Sequence, residues 1–112
     1  DLQCVQIIFS NLIENALKYG DQQHAVLVSL EAKPHANGRS GWCLQVCNVP
    51  GVAGQPDADK VFAKYYRSAA AQRQSGTGLG LFLSHNLAQQ IGAQLRYQPT
   101  DTHICFELWL PT

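Results

Sequence analysis

From Phe9 to Gly20 the chain reads FSNLIENALKYG, the second half of a segment that begins at Leu2. Val5, Phe9, Leu12, Ile13 and Ala16 recur at helical spacing and form an apolar stripe, so residues 2–19 are expected to be one amphipathic helix. Gly20 stands where a helix C-cap belongs. A second face of the same helix is polar. Asn11, Asn15 and Lys18 lie at i, i+4 and i+7 and fall within about 60° of arc. Two amide oxygens and an ammonium on one stripe suit a metal-bound polyanion, because Mg²⁺ accepts hard oxygen ligands and shares phosphate oxygens. The plain alternative for that stripe is a solvent-facing polar surface.

The reading extends outward from this helix. Residues 25–33 (AVLVSLEAK) alternate as a strand does, with Val26, Val28 and Leu30 on one side. The turn-rich loop PHANGRSG follows, then a second alternating stretch, WCLQVCN at 42–48, with Trp42, Leu44, Val46 and Asn48 on one face. These two strands form a hairpin with a long loop. After the irregular VPGVAGQPD, either Asp57 or Asp59 is expected to cap a short helix through Tyr66. Residues 67–77 are small, polar and aperiodic, a flexible loop. A second helix is expected from about Gly78 to Ile91, closed by Gly92, and then a hairpin of 93–98 and 103–110 with Ile104, Phe106, Leu108 and Leu110 on one face. The most economical architecture is one mostly antiparallel sheet with helices on one side, an α+β two-layer sandwich.

The run GTGLGL, Gly76 to Leu81, is costly at a helix start, since each glycine weakens a helix by roughly 1 kcal/mol relative to alanine. Exposed N–H groups at a helix N-terminus favour phosphate, and a missing side chain lets backbone approach it. A tight packing turn is the competing explanation. No Gly-Lys-Ser/Thr occurs, so this is no Walker loop, and GxGxG without a preceding strand is no Rossmann fingerprint.

A chain of 112 residues is one domain, 1–112, able to bury roughly two-thirds of its unfolded surface. With 46% apolar and 14% charged residues it is not a disordered tail. Its apolar runs are far shorter than the roughly 18 residues of a membrane span. Eight Lys/Arg against eight Asp/Glu exclude a broad nucleic-acid or membrane surface. The balance is uneven: Lys60, Lys64, Arg67 and Arg73 cluster, and no acid occurs between Asp59 and Asp101. Such a stretch fits a small polyanion or a solvated loop. Cys4, Cys43, Cys47 and Cys105 show no metal-like spacing. Cys43 and Cys47, four apart on a strand, are roughly 13 Å apart and too distant to bridge. Four reduced thiols are expected, a cytosolic pattern.

Four segments together resemble the ATP-binding catalytic domain of sensor histidine kinases, in the superfamily that also holds DNA gyrase, Hsp90 and MutL. FSNLIENALKYG is similar to the asparagine box, KVFAKYYR to the phenylalanine box, and GTGLGL to the second glycine box; FELWLP is similar to the closing strand. The resemblance covers essentially the whole chain. It implies the Bergerat α/β sandwich, with a mixed, mostly antiparallel sheet. It implies ATP and Mg²⁺ as ligands, with Asn15 holding Mg²⁺ and Lys18 on the phosphates. Asn11 and Tyr19 would line the nucleotide. Gly76, Gly78 and Gly80 would present backbone N–H groups, with Thr77 and Leu79 between them and Leu81 after them in the same ATP-binding run. Lys64 and Arg67 would also contact ATP, ahead of a lid of residues 68–75. Asn48, Gly51 and Val52 would occupy the adenine end.

The first glycine box departs from the family pattern, Asp-x-Gly-x-Gly. Here VCNVPGVAG puts Asn48 in the place of the aspartate that accepts the adenine amino proton. A neutral acceptor is weaker, by about 1–2 kcal/mol. Hydrolytic members of the superfamily carry a glutamate one turn before the magnesium asparagine; here that position is Asn11, so hydrolysis is not the expected reaction. The phosphoacceptor is also absent. His24, His35, His85 and His103 are followed by Ala, Ala, Asn and Ile rather than an acid, and each reads as a surface or turn histidine. The resemblance therefore implies the catalytic part of a protein-histidine kinase, with no catalytic nucleophile of its own. Its partner is a helical dimerisation and phosphoacceptor domain, and a response regulator is served indirectly. The domain itself is expected to be monomeric and cytoplasmic; for the full protein, a cytoplasmic kinase and an inner-membrane receptor are the two expectations. A weakly binding or nucleotide-free module that acts by docking is the alternative.

Overall fold

The computed structural model describes residues 2–52, 54–63 and 80–112. The order is α1 (Leu2–Tyr19), β1 (Leu27–Ala32), β2 (Gly41–Asn48), α2 (Gly80–Gln90), β3 (Gln94–Tyr97) and β4 (Ile104–Pro111). The strands lie in the order β1-β2-β4-β3, and every pairing is antiparallel. The mixed pairing expected from the resemblance has no instance among these strands.

Strand alternation divides the sheet into two faces. One face carries Val46, Leu95, Ile104, Phe106 and Leu108, which join Ile8, Leu12 and Ala16 of α1 and Ala88 of α2 in a single core. Both helices therefore cover one side. The apolar stripe of α1 centres on Ile8, fully buried, with Val5, Phe9 and Ile13 at its margins. Ile8 was missing from the expected stripe because the run Ile7-Ile8-Phe9 hides which of its members points inward. Gly92, with φ 74°, closes α2, and Ala93 N–H donates to the Ala88 carbonyl at 2.9 Å, the six-to-one bond of a Schellman cap.

Two expectations are corrected. Residues 58–62 form turns rather than the start of a helix. Asp57 still caps: its carboxylate accepts the Asp59 N–H at 2.9 Å and its carbonyl the Lys60 N–H at 3.0 Å. The remainder of that expected helix, to Tyr66, lies outside the described residues, as does the expected loop at 67–77.

The second correction concerns the cysteines. Cys47 and Cys105 form a disulfide, with Cα atoms 4.1 Å apart, so only Cys4 and Cys43 are free thiols. The two are direct partners in the β2–β4 register. They are 58 residues apart, and only that register brings them together. Cys43 and Cys47, four apart on β2, form no bridge, as their spacing along one strand requires.

The face away from the helices has its own cover. The Trp109 indole N–H donates to the Lys33 carbonyl at 2.8 Å, and His35 meets the Trp109 ring edge-on at 4.9 Å. Lys33 lies 3.6 Å from Glu107, and Cys43 donates to the same carboxylate. Burial, and then the neighbouring Glu107 charge, pushes the Cys43 thiol up to about 11.

Candidate functional site at the ends of the two helices

The polar face of α1 holds Asn11, Asn15, Lys18 and Tyr19, each half-buried. The start of α2 comes directly against it. Asn11 Nδ2 donates to Ser84 Oγ at 2.8 Å and reaches the Gly80 carbonyl at 3.4 Å. The asparagine stripe and the last glycine of GTGLGL, 69 residues apart in sequence, thus share one junction. Asn11 was expected to line a nucleotide; its amide nitrogen bonds α2. Lys18 stays at the C-terminal end of α1, its ammonium 5.4 Å from the Tyr19 ring centroid.

The end of β2 is laced to the end of α1. Gly20 bridges Pro50, the Asp21 N–H donates to the Val49 carbonyl at 2.8 Å, and the Gly51 N–H donates to the Tyr19 carbonyl at 3.0 Å. This lacing explains Gly51 by packing: a Cβ there would lie 2.8 Å from the Tyr19 oxygen. Gly80 differs. A Cβ at that position would meet only Asn11 Cγ, at 4.0 Å, so packing within the described residues does not require a glycine. Such an open position at a helix start fits an approaching phosphate.

Asn48 is buried on the helix-covered face at the end of β2, and its Nδ2 donates to the Val49 carbonyl at 3.1 Å. The side chain therefore bonds the turn that follows its own strand, the local alternative to ligand reading. Val52, in the turn beyond, is exposed, and Leu81 is half-buried behind Gly80. Lys64, Arg67, Gly76, Thr77, Gly78 and Leu79, with residues 68–75 expected to be a lid, lie outside the described residues.

Sequence reasoning missed Ser84. Leu81, Ser84 and Ala88 occupy the inward side of α2, and Ser84 is fully buried. A lone hydroxyl in that stripe was the available signal, since a buried hydroxyl needs a partner. His85 also differs from expectation. It sits in α2, half-buried, and stacks on Phe62 with ring centroids 4.6 Å apart; Phe62 in turn meets Phe106 edge-on. The first part of KVFAKYYR is thereby seated over α2, with Val61 buried beside it.

This two-helix layer on a four-stranded antiparallel sheet recurs in solved histidine kinase structures. The mycobacterial sensor histidine kinase MprB shares it with a TM-score of 0.76, at 22% identity over 99% of this chain and 74% of that one. The catalytic domain of histidine kinase ThkA does so with a TM-score of 0.69, at 16% identity over 99% of this chain and 69% of that one. Residues 1–112 match the family of histidine kinase-, DNA gyrase B- and HSP90-like ATPases, and the chain belongs to it. Among similar proteins, the swarming motility regulation sensor protein RssA of Serratia marcescens is 37% identical over 86% of this chain and 19% of its own length. The sensor histidine kinase ArsS of Helicobacter pylori is 26% identical over 96% of this chain and 23% of its own length. The chain spans about a fifth of these curated relatives. No helix among the described residues is long and apolar enough to cross a membrane.

Proposed function

We propose that this domain binds Mg²⁺-ATP and delivers the γ-phosphate to a histidine on a separate helical domain, as the catalytic part of a sensor histidine kinase. The observation that carries this reading is the junction of Asn11 with Gly80 and Ser84, which joins the asparagine stripe to the glycine-led helix. Asn15 offers the oxygen to the metal, Lys18 neutralises phosphate charge, and the backbone before and at Gly80 receives phosphate oxygens. Lys64 and Arg67 add charge beside them, and Tyr19 borders the nucleotide. Bound Mg²⁺ supplies charge neutralisation across the phosphates. The chain's part is orientation and electrostatics, which is most of what phosphoryl transfer requires. A response regulator is the indirect recipient.

Asn48 reads adenine through its amide oxygen in this proposal, because its nitrogen is held by the Val49 carbonyl. That bond changes the expectation for Asn48→Asp. A carboxylate would better accept the adenine amino group, but it would also face the Val49 carbonyl, an acceptor against an acceptor. The ATP gain is therefore smaller than the about 1–2 kcal/mol that separates a charged from a neutral acceptor, while GTP binding weakens.

Calorimetric titration tests the reading. The wild-type domain takes up Mg²⁺-ATP, and Asn15→Ala abolishes the Mg²⁺-dependent part of the affinity with the fold intact by circular dichroism. Equal affinity in the two proteins overturns the metal role. No binding by the wild-type domain overturns ATP use and favours the docking module.

A further inference from the structure

We infer that Ser84 is a positioning residue for the metal-nucleotide site, acting through Asn11; this rests on the Mg²⁺-ATP reading above. Ser84 is fully buried, and its hydroxyl accepts Asn11 Nδ2 at 2.8 Å. The same nitrogen reaches the Gly80 carbonyl at 3.4 Å. An amide is planar, with its nitrogen and oxygen on opposite sides of the carbonyl carbon's axis. The Gly80 carbonyl can only accept, and Ser84 Oγ accepts beside it, so together they hold the Asn11 nitrogen toward α2 and turn Oδ1 away from it.

Asn15 lies one turn farther along α1, on the same stripe. Held in this orientation, the Asn11 oxygen adds an acceptor beside the Asn15 oxygen. Mg²⁺ usually keeps several waters, and each of those waters needs an acceptor for its protons. A side-chain oxygen next to the direct ligand, unable to flip, meets that need. If Ser84 loses its hydroxyl, the amide keeps only the long Gly80 contact and can turn its nitrogen toward the metal's waters.

The test is a double-mutant cycle read as Mg²⁺ linkage. ATP affinity is measured with Mg²⁺ and with EDTA in the wild-type protein, Ser84→Ala, Asn11→Ala and the double variant. Ser84→Ala is expected to weaken Mg²⁺-ATP binding roughly five- to tenfold while leaving metal-free ATP binding within about twofold. The same substitution in the Asn11→Ala background is expected to change nothing, since Ser84 acts through that amide. A residue needed only for packing would lower the melting temperature and shift both affinities together, and that result overturns the inference. So does an undiminished Ser84 effect in the Asn11→Ala background. If Ser84→Ala does not fold, Ser84→Cys, close in shape with a poor acceptor, is read in the same way. A wild-type domain that binds no ATP overturns the parent reading itself, whereas wild-type binding with unaltered Mg²⁺ linkage in Ser84→Ala overturns only the positioning role.

Discussion

The two edges of the sheet are built from similar residues and end in opposite environments. On β3, Leu95 is 3% exposed; on β1, Leu30 is 61% exposed. Both are leucines on edge strands, and both lie on the face that the helices cover. The difference is what lies above them. α2 runs into β3 through the short turn at 91–93 and lies back over it, so the strand begins under its own helix. β1 follows α1 by a seven-residue connection, 20–26, whose start is laced to the end of β2. All six residues of β1 stay exposed, although Val28 and Leu30 pair with Val46 and Leu44 of the strand beside them. Alternation places a side chain on a face, and only a covering element buries it.

Substitutions can break this contrast or sharpen it. The largest effect belongs under the helices: Leu108→Ala, at a fully buried position of β4, should cost about 3–5 kcal/mol in chemical denaturation. A loss below about 1 kcal/mol would mean that the helix-covered face is not the stabilising one.

Next comes the Cys47–Cys105 bridge on the opposite face. Closing 58 residues, it should contribute about 2–4 kcal/mol, lost on reduction or in the double serine variant. Equal stability with and without reductant would show that the strand pair needs no bridge.

Cys43, also on that face, makes a smaller, pH-dependent contribution. Its thiol ionises near 9.0 when unfolded and at about 11 in the folded protein. Folding thus favours the neutral thiol: the stability is fully present below about pH 9 and is lost as pH rises toward about 11. Denaturation midpoints should fall more steeply across that range in the wild type than in Cys43→Ala; parallel slopes would refute the assignment.

The smallest effect is expected at the open edge. Leu30→Ala should change stability by no more than about 0.5 kcal/mol, because little apolar area leaves water there on folding. A cost near that of Leu108→Ala would erase the distinction between the two edges.

Much of the fold was legible because it is periodic. α1 from Leu2 to Tyr19, the alternation Trp42-Leu44-Val46-Asn48 and the facing of Ile104, Phe106, Leu108 and Leu110 all follow from local geometry that the chain repeats. The turn at 58–62 was misread because a capping aspartate announces a turn as readily as a helix. The asparagine stripe and the glycine run were each legible as motifs, but not as neighbours.

What the amino-acid sequence determined by itself is therefore the two long helices and four strands, the polar stripe of α1, the glycine-led start of α2 and the family they resemble. Each is written within one turn or one strand. The tertiary structure alone decided the Cys47–Cys105 bridge, the burial of Ser84, its bond to Asn11, the lacing of Gly51 to Tyr19 and the exposure of β1. All of these depend on strand register and helix placement. Residues 58 or 73 positions apart meet only after the chain has folded back on itself, and no local pattern encodes which of them will touch.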